Sequence, residues 1–196
     1  MPRNRSATAH KKVLQAALEL VAQHGFDATS MDAVAHKSGV SKATIYKHWS
    51  DKEALLLEMM AEVNGIRGRP SFDSGNTRND MIAVLSYRSA ESAEMRELIL
   101  PHFMAYAASH PKIGMAWRKM VMEPPRRELT DLIQLGIQKG EFLPDLNIDL
   151  CLALLLGPLV YWHIFLRRTT EDPKPLAESV TDVFWRSFGV MRKPRS

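Results

Sequence analysis

At 196 residues the chain has room for one large domain, or for a small domain with a larger one. Hydrophobic residues make up 45% and charged residues 24%, with a formal net charge of +4, which excludes a disordered chain and implies a folded core. A single cysteine excludes an intrachain disulfide, and the basic start MPRNRSATAHKK lacks the apolar run of a secretory signal, so a reduced, cytoplasmic protein is expected.

The charge is unevenly placed. Residues 1–52 hold eight lysines and arginines against four acids, and the rest of the chain holds eighteen of each. The whole excess therefore lies near the N-terminus, as an electrostatic footprint for nucleic acid would.

From Ala7 to His24, residues Val13, Leu14, Ala17, Leu20 and Val21 predict an amphipathic helix, closed by Gly25. Phe26 is placed to plug the space between this helix and the next pair. Ser30 is an N-cap for a second helix with Met31, Val34 and Ala35 on one side. Gly39 supplies a left-handed stop, and Ser41 caps a third helix in which Val40, Ile45 and Trp49 face inward. Helices this short are marginal alone, so they must be pinned at a steep angle by a shared core, as in a helix-turn-helix. With the apolar positions inward, Lys42, Ala43, Thr44, Tyr46, Lys47 and His48 remain outside or at the edges. These short polar, cationic and aromatic groups suit phosphates and base edges.

Ser50-Asp51-Lys52-Glu53 reads as a capping box, with Ser50 as N-cap and Glu53 at the third position, opening a fourth helix through Leu55, Leu56, Met59, Met60 and Val63. Lys52 then sits in a first helical turn, unfavourable for a cation unless a phosphate lies beside it. Residues 65–79 are rich in Gly, Pro, Ser and Asn and mark a hinge carrying Arg67 and Arg69. Beyond it the pattern is helical throughout: Asp80 to about Ala93, Arg96 to Ser109, Lys112 to Met122 with an interruption at Pro124-Pro125, then Pro125 to Gly140. Leu150 to Leu166 is 17 residues without a formal charge, short of the ~20 that cross a bilayer. It is expected to be a helix buried in a monomer core and a subunit interface, kinked near Leu154 by Pro158, rather than a membrane span. A last amphipathic helix spans Leu176–Val190.

These residues bring a family into view. Over about residues 10–62 the chain resembles the tetracycline-repressor (TetR) family of bacterial transcriptional regulators. The resemblance rests on HGF after the first helix, Ser30, Ala35, Gly39-Val40-Ser41, Thr44, Ile45-Tyr46, His48, an aromatic at Trp49 where the family usually has Phe, and Lys52-Glu53-Ala54-Leu55. The segments RRELTDLIQLGIQKGEFLPDLNIDL and LLLGPLVYWHIFL look like the ligand-binding and dimerisation part of one branch of that family.

The expectation is an all-α protein of about nine to ten helices. Residues 1–66 would form a three-helix DNA-binding domain with a helix-turn-helix, and 67–196 a helical ligand-binding and dimerisation domain. The resemblance implies DNA contact by Lys42, Thr44, Tyr46 and His48, by Thr29 or Ser30 from the second helix, and by Lys52 from the fourth; the start and outer side of the third helix add Ser41, Ala43 and Lys47 to the expected DNA-binding set. It implies a double-stranded operator, palindromic and bound by a homodimer formed through the last two helices, and a small-molecule effector that releases the DNA. His102, Phe103, Tyr106, Met115, Trp117, Trp162 and His163 are candidate walls of the effector site, favouring an apolar or aromatic ligand. No enzyme is expected, since no phosphate-cradling Gly-rich loop, G-x-S-x-G or H-E-x-x-H occurs. The histidines lack metal-ligand spacing, so no metal or cofactor is expected either. The alternatives are a helical protein that sequesters a small molecule without specific operator binding, and a constitutive DNA-binding regulator.

Overall fold

The computed structural model describes residues 3–66, 68–87, 93–166 and 172–190, leaving undescribed the side chains of 3–6, 93–97, 163 and 164. Arg67 and the side chain of His163 therefore lie outside the described residues. The elements are α1 (Arg3–Ala28), α2 (Met31–Ser38), α3 (Lys42–Tyr46), α4 (Lys52–Val63), α5 (Thr77–Ser86), α6 (Ala93–Ser109), α7 (Pro111–Trp117), α8 (Glu123–Gln138), α9 (Ile148–Ile164) and α10 (Lys174–Phe188). A π-helical turn, Arg118–Met122, joins α7 to α8. Among the described residues the extended structure is limited to one isolated bridge between Phe142 and Gly189. The protein is all-α.

Two compact units account for these elements. In the first, α6 packs on α1 and α4, α7 packs on α4 and α6, and α2 joins α1 to α3. Its core runs from Val13, Leu14, Ala17 and Val21 through Phe26, Val34, Ile45 and Trp49 to Leu55, Leu56, Met59 and Met60. α6 and α7 add Ile99, Phe103, Tyr106 and Ile113. Phe26 plugs the junction as expected, its ring 5.1 Å from that of Phe103 and 5.5 Å from that of Tyr106. The first unit thus holds α6 and α7 as well as the helix-turn-helix.

The second unit packs α5, α8, α9 and α10 around Met81, Leu85, Leu129, Ile133, Phe142, Leu155 and Phe184. Cys151 lies in this core, and burial pushes its thiol above the usual range. The charged Asp80 is buried too, but both carboxylate oxygens accept from the Ser74 backbone N–H, at 3.0 and 3.1 Å, which answers the cost of burying it.

Several boundaries differ from the sequence pattern. α5 ends at Ser86, short of Ala93, and residues 88–92 are undescribed. α8 starts at Glu123, directly after the π-turn, so Pro124 and Pro125 fall in its first turn, where a missing N–H costs little. α9 continues through Pro158. It is buried on one side only within this chain, with Cys151, Leu152 and Leu155 inward and Leu150, Leu154, Val160 and Tyr161 exposed. Among the described residues no helix is long and apolar enough to cross a membrane.

The turn after α8 shows how tightly the second unit is fitted. Gly140 adopts φ 67°, a left-handed stop that returns the Glu141 N–H to the Gly136 carbonyl at 2.8 Å. This brings the Phe142 ring over Gly136, where a Cβ would sit 2.4 Å from Cδ2 and Cε2. Phe142 cannot retreat, being walled by Trp185 at 4.5 Å and Phe184 at 5.3 Å between ring centroids. Gly136→Ala should therefore lower unfolding free energy by about 1–3 kcal/mol in a urea titration, the usual cost of overpacking; an unchanged midpoint would mean that this turn is loosely packed.

Candidate nucleic-acid interface

The helix-turn-helix is held by caps at each junction. Ser30 accepts the Ala33 N–H at 3.1 Å to start α2, and Gly39, at φ 67°, ends it by returning its N–H to the Ala35 carbonyl. Ser41 accepts the Thr44 N–H at 3.2 Å to start α3. α3 is only five residues long, shorter than the pattern to Trp49 suggests, and Lys47-His48 form a turn. Ile45 and Trp49, 1% and 2% exposed, fasten both ends of it to the core of the first unit.

That anchoring leaves one side to solvent. Ser41, Lys42, Ala43, Tyr46, Lys47 and His48 are exposed and Thr44 is half-buried. Tyr46 keeps 51% of its surface accessible, so its hydroxyl can reach a group outside the chain. Thr44 Oγ1 lies 2.9 Å from Ser41 Oγ, so its hydroxyl is shared with the cap. Lys42 Nζ pairs with Asp32 Oδ1 on α2 at 2.6 Å. Both partners are largely exposed, so the pair is weak and a phosphate could replace the carboxylate at small cost.

Two of the residues named from sequence are placed differently. Ser30 is exposed, but Thr29 is buried, and its hydroxyl donates to the Gly25 carbonyl at 2.8 Å. Thr29 thus braces the elbow after α1, where Gly25 takes a conformation (φ 80°, ψ 175°) open essentially to glycine alone. Lys52 does not point away from its own helix start toward solvent. Its ammonium donates to the Phe26 carbonyl at 2.9 Å and the Asp27 carbonyl at 3.3 Å, and lies 5.7 Å above the Tyr106 ring. Three successive carbonyls at the end of α1, those of Gly25, Phe26 and Asp27, are therefore met by side chains, which offsets the dipole penalty expected at Lys52.

The cap of α4 also shifts by one residue. Asp51, not Ser50, accepts the Ala54 N–H at 2.8 Å, and Ser50 donates its hydroxyl to Asp51 Oδ2 at 2.8 Å. A carboxylate caps more strongly than a hydroxyl beside the positive helix end, which is why the later residue wins.

Two further residues escaped the sequence reading. Glu58 Oε2 accepts the Trp49 indole N–H at 2.7 Å, while Glu58 Oε1 lies 3.0 Å from His10 Nε2. A usable signal existed: a Trp where Phe is usual brings an N–H that needs an acceptor when buried. His10 also continues the Val13, Leu14, Ala17 face of α1 by one turn.

The candidate effector walls divide between the units. In the first, Phe103 and Tyr106 are core residues, His102 and Met115 are exposed, and Trp117 is half-buried with its ring 5.3 Å from Phe103. The Trp117 indole nitrogen is buried with no hydrogen-bond partner. Burial, helped by the Glu53 and Asp27 carboxylates, raises the Tyr106 phenol above its ordinary value. In the second unit Trp162 is half-buried. A separate apolar groove of about 320 Å³ lies between α9 and α10, lined by Leu154, Pro158, Val180, Val183, Phe184 and Phe188. None of the six described residues among those named lines it. Among the described residues no group of three metal-ligating side chains occurs.

Comparison with known proteins places this geometry. A family model described as bacterial regulatory proteins, tetR family, matches residues 13–59, and one described as tetracyclin repressor-like, C-terminal domain, matches residues 72–183. The HTH-type transcriptional regulator YdeS of Bacillus subtilis is 30% identical over 159 residues, covering 81% of this chain and 80% of its own. The DNA-binding transcriptional repressor TetR of Mycobacteroides abscessus is 25% identical over 146 residues, 74% of this chain and 77% of its own. A TetR-family transcriptional regulator from Mesorhizobium loti superposes with a TM-score of 0.64 at 26% identity, over 95% of this chain and 99% of its own.

The Asp51 cap makes the interface sensitive to acid. The Ala54 N–H, then the Ser50 hydroxyl, hold its carboxyl below the usual range, so it stabilises the fold above that range and ceases to as pH falls through it. Asp51→Ala should cost about 1 kcal/mol at pH 7, and the difference from the parent should shrink in unfolding titrations carried toward pH 3. A cost that persists undiminished at pH 3 would assign the effect to something other than the ionised cap.

Proposed function

The chain belongs to the tetR family of bacterial regulatory proteins, as a transcriptional regulator with a helix-turn-helix, and from that premise we propose that it is a ligand-released repressor that binds a palindromic operator as a homodimer. The observation that carries this is α3 itself: pinned by Ile45 and Trp49, it presents Lys42, Ala43, Tyr46, Lys47 and His48 to solvent, with no acid among them. The name of the Mycobacteroides abscessus relative, a DNA-binding transcriptional repressor, supports repression. Residues 1–66 act on DNA and 67–196 bind effector and partner. The target places the protein in the cytoplasm, and it carries out no chemistry of its own.

On α3, Thr44 and Lys42 face bases or adjacent phosphates. Tyr46 and His48 donate to phosphates, joined by Ser30 at the start of α2, whose helix end favours an anion. Lys47 adds charge. Thr29 acts through the elbow, and Lys52 reaches phosphate only by leaving the Phe26 and Asp27 carbonyls. Dimerisation uses the exposed sides of α9 and α10, where Leu154 is 47% and Val183 61% exposed. One recognition helix reads only a few base pairs, so a dimer on paired half-sites supplies the rest. The effector is an apolar or aromatic molecule, for which the unpaired indole N–H of Trp117 offers a donor.

Selection of bound duplexes from a random pool, at near-physiological salt, tests the whole. One inverted repeat with half-site centres about a helical turn or more apart is expected; sequence-blind, salt-sensitive binding alone would return the chain to the class of small-molecule sequestering proteins. On the recovered repeat, Tyr46→Phe should weaken selected and random duplexes equally, whereas Thr44→Ala should flatten the preference between them. Equal losses from both would remove Thr44 from base reading. Val183→Glu, at a site open to solvent in the single chain, should leave the fold intact and convert the dimer to monomer in sedimentation. A dimer indifferent to it would move the interface away from α10.

A further inference from the structure

One carboxylate serves two rings at the end of α3. Glu58, on α4, divides its oxygens between Trp49 Nε1 at 2.7 Å and His10 Nε2 at 3.0 Å. The side chains of His10 and Glu58 are 23% and 19% exposed. The His10 ring lies on the Trp49 indole, with centroids 4.6 Å apart and planes 29° from parallel. Its other contact is edge-on to the His48 ring at 5.4 Å and 79°. His48 is in turn tilted against Trp49 at 5.5 Å. An imidazole from α1 and a carboxylate from α4 thus converge on two consecutive side chains of the recognition element. His10 lies before residue 13, where the family model begins its match.

The chemistry of this group is more than filling. An apolar side chain would occupy the place of His10 or Glu58 without the cost of desolvating a polar group. What the polar pair adds is direction: a hydrogen bond fixes the plane of the His10 ring, and the plane fixes where His48 can lie. His48 is exposed, and an exposed imidazole left to itself samples several rotamers that must be given up when it meets a phosphate. Here two rings wall it before any DNA arrives.

We propose that His10 is a positioning residue for DNA binding: held by Glu58, it fixes the His48 ring against Trp49, so that the imidazole is presented to a DNA phosphate in one orientation. This rests on the DNA-binding reading above and places a determinant of operator affinity near the start of α1, outside the helix-turn-helix. Trp49 is the middle of the device, since its indole N–H gives Glu58 a fixed position that a Phe could not.

The test uses the full chain with the inverted-repeat duplex recovered by selection and a random duplex of equal length. His10→Ala should weaken binding of the selected duplex by about 3- to 10-fold per subunit, the range expected for freeing one ordered side chain. It should shift the His48 ring resonances in the protein without DNA. In a His48→Ala background the same substitution should change affinity little, because the group that His10 positions is gone. Glu58→Leu, which removes the group that holds His10, should weaken binding of the selected duplex over a similar range in the parent and change it little in the His48→Ala background. Should His10→Ala fail to fold, His10→Gln, which keeps a donor to Glu58 and lacks the ring, makes the same comparison. Equal losses with and without His48, or a parent that binds the repeat while its His10 variants bind it just as well, would overturn the proposal. A parent that binds neither duplex would instead overturn the DNA-binding reading itself.

Discussion

A helix of five residues has almost no stability of its own, because it fixes several backbone dihedrals in return for very few hydrogen bonds. α3 is that helix, and its burial of Ile45 and Trp49 is the constraint from which the first unit follows. Both side chains need a floor, and α1 and α4 supply it with Val13, Ala17, Leu55 and Met59. A floor of this width needs its own backing, which is why α6 brings Phe103 and Tyr106 beneath Phe26. Freeing Trp49 would remove more than contact area. It would release the Glu58 carboxylate and the position of everything that α3 shows to solvent.

The same economy governs the elbow after α1. α1 ends at Ala28, just beyond the bend at Gly25, and its last carbonyls must find donors. Thr29 meets the first from within the elbow, and Lys52 meets the next two from the beginning of α4. Helices distant in sequence are therefore locked at one corner by hydrogen bonds, while apolar burial holds them elsewhere. A corner fixed in this way can transmit a displacement of α4 to α1 without first losing the hydrophobic core.

Local signals made much of this legible. Ser30, Gly39 and Ser41 announce the helix-turn-helix because caps act within three or four residues, and Met31, Val34, Ile45 and Trp49 announce its inner side by spacing alone. Interactions between elements could not be seen. The pairing of Lys42 with Asp32, the capture of Lys52 by α1 carbonyls and the sharing of Glu58 depend on where helices cross, which no period encodes. The cap of α4 lies one residue beyond Ser50 because Ser50 and Asp51 are both good caps and only electrostatics separates them. The run from Leu150 to Leu166 signalled burial correctly for one side of α9, whereas the other side is open in the single chain. Effector walls were the least readable. Aromatic residues such as Phe103 have the same spacing whether they pack a core or meet a ligand.

Cys151 carries a consequence of a different kind. It sits in the closed interior of the second unit, where burial keeps the thiol protonated. A thiol reacts through its thiolate, so oxidants and alkylating reagents reach this one only when α9 parts from α5 and α8. The chain contains no other sulfhydryl. Its rate of alkylation is therefore a clock for the opening of the second unit, built in without a label, and any molecule that tightens that unit slows the clock in proportion to its hold.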